Sequence, residues 1–100
     1  MSSVAYTELL HGFHRETDSG RRRRRKQFFT SLFNAVPVCT YTIEMAEIAG
    51  RIGGEQAALG TIIPPIDLMI GATAIYSEFS LITTNLRHFR MIPNLNVIPF

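Results

Sequence analysis

Apolar positions along this chain recur at helical spacing in four stretches and crowd into short β-branched runs in three. Val4, Leu9, Leu10 and Phe13 make a helical stripe that Ser3 is placed to cap, with Gly12 close to its end. After the turn "ETDSG", Asp18 or Ser19 is placed to open a second helix to about Asn34, with Phe28, Phe29, Leu32 and Phe33 inward. "AVPVCTY" has the length and β-branched content of a strand, though Pro37 assigns it to an edge or a strand start. A third helix opens near Thr42 and carries Ile43, Met45, Ala46, Ala49 and Ile52, until Gly53, Gly54 and Gly60 weaken or end it.

The next helix cannot begin before Pro65, which puts Asp67 in its first turn, where the helix dipole and the free N–H groups favour a negative charge. "SLITT" then reads as a buried strand, "NLRHF" as a turn into a short helix and "NVIPF" as a last strand. Helix alternating with strand predicts an α/β fold, a parallel sheet flanked by helices on both faces. Sites in such sheets form at the carboxyl ends of strands. Thr83, Thr84 and Asn85 stand at such an end, and Asp67 heads the helix that feeds that strand.

Composition narrows the class. A chain of 100 residues is expected to form one domain that buries only about 60 to 70% of its unfolded surface. No apolar run approaches the roughly 18 residues of a membrane span, because Asp67 and Glu78 interrupt the longest candidate. The start "MSSVAYTELLHGF" lacks a basic segment followed by an apolar core, and Cys39 is the lone cysteine, so a reducing cytoplasm is the expected location. Charge is uneven: six of the ten basic residues sit in "RRRRRK", residues 21–26. Arg21, Arg22, Arg23, Arg24 and Arg25 therefore form either a phosphate-binding run or the solvated face of a helix start.

Other candidates are bland. His11, His14 and His88 show no metal-ligand spacing with Cys39 or one another, which assigns them to the surface or to packing. Cys39 has no catalytic partner pattern and reads as a small buried residue. Phe28, Phe29 and Phe33 suit a core or dimer surface better than a base-stacking platform.

The segment "IDLMIGATAIYSEFSLITTNLRHFRMIPNLNVIPF" resembles the C-terminal half of PIN-domain proteins, in particular VapC-type toxins: an acid followed by small and apolar residues, a strand, then Thr-x-Asn or Thr-x-Asp and an aromatic. "SSVAYTELLHGFHR" is similar to that family's helix bearing a Glu-Leu pair, and "VPVCTY" and "AEIAGRIG" follow in the expected order, so the likeness covers nearly the whole chain. It implies a Rossmann-like sheet and a ribonuclease dependent on Mg2+ or Mn2+, whose carboxylates hold the cation for phosphodiester cleavage. It further implies a cognate antitoxin and a homodimer. Carried over, Glu8 takes the place of the family's helix glutamate and Asp67 that of its third acid, both as metal ligands. Asn85, eighteen residues after Asp67, takes the place of the fourth acid, and Thr83 steadies the strand end.

The likeness also departs from the family at one point. The family opens on a central strand bearing an aspartate, in a pattern like Asp-Thr/Ser-Asn/Ala, and Met1 starts beyond it. The expectation is an N-terminally truncated PIN-like domain over residues 1–100, its central first strand missing or supplied from elsewhere, and its edges unpaired. Two carboxylates and an amide bind a hard cation less strongly than three or four acids. Two functions follow: a weak or inactive ribonuclease, or a catalytically inactive remnant that serves dimerisation or antitoxin binding.

Overall fold

The computed structural model describes residues 1–99. The chain divides into two units, Met1–Thr40 and Tyr41–Phe100.

The first unit is a helical pair. Helix α1 (Ser3–Arg15) is capped by Ser2, one residue before the expected Ser3, its hydroxyl accepting from the Val4 N–H at 3.1 Å. The helix runs past Gly12, whose carbonyl accepts from Arg25 at 2.7 Å. Helix α2 (Ser19–Ala35) starts as expected, with the Asp18 carboxylate accepting from the Arg21 N–H at 2.8 Å. Aromatic rings join the two helices: Phe29 lies edge-on to both Tyr6 and Phe13, with ring centroids 6.4 and 5.7 Å apart. The inward face of α2 is narrower than expected, since Phe28 and Phe33 are exposed while Phe29 and Leu32 are half-buried.

"AVPVCTY" does not form a strand. Cys39 makes one parallel bridge with Ser2, donating to the Met1 carbonyl at 2.7 Å and accepting from the Ser3 N–H at 2.8 Å. The pairing stops there because Ser3 already begins α1, Val36 caps the end of α2 and Pro37 has no N–H to offer.

The second unit holds the core. Helix α3 (Ile43–Ala58), capped by the Thr42 hydroxyl, buries Met45, Ala49 and Ile52, while Ile43 is 76% exposed and Ala46 also faces outward. The helix continues through Gly53 and Gly54 to Ala58, and Gly60 follows the cap residue Leu59 with a φ of +88° that suits a residue without a Cβ. Packing explains why Gly53 does not break it: a Cβ there would stand 2.8 Å from the Leu68 methyl Cδ1, so the bare backbone makes room for helix α4 (Pro65–Tyr76). Pro65 is the first residue of α4, as its missing N–H allows. The middle of α4, from Ile70 to Ala74, is buried throughout, and the Thr73 hydroxyl is satisfied by the Met69 carbonyl at 2.8 Å.

Strand β1 (Leu81–Thr83) pairs in parallel with β2 (Val97–Pro99), Leu81 opposite Val97 and Ile82 opposite Ile98, with helix α5 (Leu86–Phe89) in the connection. The buried strand expected from "SLITT" is only half-buried: Ile82 is 61% exposed and shares that outward face with Ile98. The expected last strand is present to Pro99, and Phe100 lies outside the described residues. The architecture is a helix-rich α/β fold with a small parallel sheet.

Candidate active site

Asp67 is the third residue of α4, and its carboxylate is drawn in rather than splayed into solvent. Its Oδ2 lies 2.8 Å from Nδ1 of His88 on α5, with the two side chains 13% and 34% exposed. A carboxylate only accepts, so the Nδ1–H of His88 is the donor. Asn85, the residue that begins α5, places its amide 3.4 Å from the same His88 Nδ1. The near atom is the amide nitrogen Nδ2, and because the His88 Nδ1 gives its hydrogen to Asp67 it has no lone pair to accept from that amide, so the two groups touch without a hydrogen bond. Thr83, at the end of β1, holds this turn: its Oγ1 accepts from the Asn85 N–H at 3.0 Å.

Three of the sequence-predicted site residues, Asp67, Asn85 and Thr83, are thus brought together, and the residue that joins them is His88. Sequence spacing offered no reason to group it with Asp67, twenty-one positions earlier. The available signal was positional. His88 lies three residues after Asn85, so on a short helix that Asn85 opens, the two share a face.

Glu8 belongs to the first unit. It is an exposed residue of α1 and, with Leu9, Gly12, Arg25, Phe28 and Phe29, lines a pocket of about 270 Å³. Beside it the arginine run divides by role. Arg21 and Arg25 pair with the Glu16 carboxylate at 3.4 and 3.6 Å, and Arg22 lies over the Phe13 ring at 5.1 Å. Arg23, Arg24 and Lys26 are exposed, with no side-chain partner among the described residues. Glu16 has its acidity strengthened, first by the hydrogen bond from the Asp18 N–H and then by Arg21 and Arg25, so its carboxyl titrates below the usual glutamate range.

The donors around Asp67 are one carboxylate, one imidazole and one amide, with hydrogen-bonded support from Thr83. Of these, the Asp67 carboxylate is the one charged hard-oxygen donor. No group of three or more His, Cys, Asp or Glu side chains is assembled for a metal among the described residues. Nor is any helix among them long and apolar enough to cross a membrane.

A short parallel sheet with an acid at the head of α4 and a Thr-x-Asn turn at the end of β1 defines a PIN-type α/β protein. The PIN domain pattern matches residues 1–94, and the chain belongs to the PIN domain family, in its VapC-type branch. It is 35% identical over 92 residues to ribonuclease VapC19 of Mycobacterium tuberculosis, covering 92% of this chain and 71% of that protein. It is 30% identical over 97 residues to the tRNA(fMet)-specific endonuclease VapC of Salmonella typhimurium, covering 97% of this chain and 71% of the relative. The DNA-bound VapBC complex of Salmonella typhimurium contains a chain that superposes with a TM-score of 0.84 at 28% identity, over 98% of this chain and 72% of that one.

Proposed function

We propose that this chain is a divalent-metal-dependent endoribonuclease, the toxin of a toxin–antitoxin pair, built as one PIN-like domain. The observation that carries the reading is the half-buried Asp67 carboxylate, gathered with Asn85 and Thr83 at the end of a parallel strand. The ribonuclease names of its relatives support the same reading.

Asp67 is the carboxylate that this cluster would offer the cation, and Glu8 is proposed as a carboxylate ligand on the family likeness alone. When bound, the cation lowers the pKa of a coordinated water and neutralises charge developing on the phosphate. Asn85 brings a neutral dipole that orients a phosphate oxygen or a water without adding charge. Thr83 fixes the backbone that carries Asn85. Two carboxylates give a hard cation modest affinity, so the 100 residues are expected to cleave RNA weakly. The VapBC complex supports an antitoxin as protein partner, and a homodimer is part of the proposal.

A quenched-fluorophore RNA incubated with the chain and millimolar Mn2+ should be cut slowly. A chelator should stop the cleavage, added cation should restore it, and Glu8→Gln should lower it at least about 100-fold, a loss typical of groups that stabilise transition-state charge. Cleavage unaffected by chelation, or parental rates in Glu8→Gln, would refute the metal-site assignment. A chain that binds an antitoxin yet cuts no RNA under any of these conditions would instead be the non-catalytic partner-binding module.

A further inference from the structure

We propose that the pocket between α1 and α2 seats an unpaired nucleobase of single-stranded RNA, stacked on the exposed ring of Phe28. The inference rests on the ribonuclease reading above and deepens it by naming how the substrate is held.

The pocket lies within the first unit and has a volume of about 270 Å³. Sites for drug-sized ligands run from roughly 300 Å³ upward, so this one suits a single flat group of one or two rings. Leu9, Phe28 and Phe29 give it apolar walls, and Gly12 leaves the α1 side open. A Cβ at Gly12 would meet Arg25 Nη1 at 3.5 Å, an ordinary contact, so helix packing does not demand the missing side chain. Phe28 is 55% exposed, although the helical stripe predicts it inward. Its ring leans on Phe29 with centroids 6.1 Å apart, and Phe29 is in turn held edge-on by Tyr6 and Phe13. An aromatic face is thus exposed and braced at the mouth of an apolar pocket, as base stacking requires.

Two features favour a base over the side chain of a protein partner. The polar lining is one carboxylate, Glu8, and one guanidinium, Arg25, so the pocket has no net charge and suits a neutral ring. Outside it, Arg23, Arg24 and Lys26 are exposed with no side-chain partner among the described residues, and Arg24 stands one turn before Phe28 on α2. A strand whose phosphates pass these cations brings its bases within reach of the ring, and basic surface beside an aromatic platform is how single strands are held. Glu8 is also the carboxylate proposed above for the cation, so the seated base belongs to a nucleotide next to the cleaved bond.

The test uses the full chain in excess chelator, so that binding is read without cleavage. Fluorescence anisotropy compares a labelled single-stranded oligoadenylate with an abasic oligomer carrying the same number of phosphates. We expect the oligoadenylate to bind at least about 5-fold more tightly, the scale of one stacked base. Phe28→Ala should lose that preference while keeping the salt slope, and Phe28→Tyr should retain both. Gly12→Leu, which fills the pocket from α1 with a better helix former, should lose the preference too. Equal affinity for the two oligomers, or a preference unchanged in Phe28→Ala and Gly12→Leu, would overturn the proposal and leave the pocket to an apolar side chain of a protein partner. The ribonuclease reading fails separately. A base preference in a chain that cuts no RNA once Mn2+ is supplied would leave the pocket standing, and cleavage without any base preference would do the reverse.

Discussion

Two residues show how local chemistry fixes this structure. Gly71 lies in the buried middle of α4, where a Cβ would meet the Ile92 methyl Cδ1 at 2.6 Å and Leu95 Cδ2 at 3.4 Å. Gly71→Val is expected to cost about 1–3 kcal/mol by overpacking, read as a lower urea midpoint; an unchanged midpoint would show that Ile92 yields freely. Glu16 behaves in the opposite sense, as a half-buried carboxylate held by its surroundings. The Asp18 N–H, Arg21 and Arg25 lower its pKa, so its contribution to stability is present above the ordinary glutamate range and is lost as pH falls through the lowered value. A carboxyl NMR titration should place Glu16 below the ordinary glutamate range, and a Glu16 within or above that range would contradict the hydrogen-bonded arrangement. At this scale the sequence was partly legible. That Asp67, Asn85 and Thr83 lie close together could be anticipated because helix start and strand end are marked locally, by Pro65 and by the Thr-Thr-Asn turn. The contact of His88 with Asp67 is a tertiary interaction that no local pattern encodes.

At the scale of elements, helices were read well and strands poorly. Caps at Asp18 and Thr42 and the proline at the head of α4 act within one turn of the chain, so the starts of α2, α3 and α4 could be placed from sequence. Gly53 misled, because its use is to admit Leu68 from α4 and not to stop α3. The strand expected at "AVPVCTY" shrank to one bridge because strand identity depends on a partner, and Ser2 is followed at once by a helix. Element α2 also carries a prediction. Its arginines divide into three that brace the first unit and two that do not, so Arg23 and Arg24 are the ones available to phosphate. Replacing both with alanine should weaken single-stranded RNA binding and flatten its dependence on log salt by about 0.7 for each phosphate that is no longer neutralised. Fluorescence anisotropy across a salt series measures this, and an unchanged slope would assign the run to the helix surface alone.

For the molecule as a whole, the family was legible because its motif spans the two features that a sequence marks most clearly, an acid after a proline and a polar turn after an apolar run. Its expected parallel sheet is present as the β1–β2 pair, and the core lies in the second unit around Met45, Ile52, Ile70, Phe89 and Ile92. In the proposed function this arrangement makes the Asp67 cluster the seat of RNA cleavage. Two aspartates at helix starts separate that proposal from a purely structural role, because Asp67 bonds His88 beside Asn85 whereas Asp18 caps α2. The most direct measurement is the initial rate of RNA cleavage by Asp67→Asn and Asp18→Asn, each confirmed as folded by circular dichroism, beside the parental chain. Asp18→Asn keeps its cap and should cleave at the parental rate. Asp67→Asn should fall to background, whereas parental cleavage by Asp67→Asn, or background rates in all three, would mean that the Asp67 cluster is not the seat of RNA cleavage.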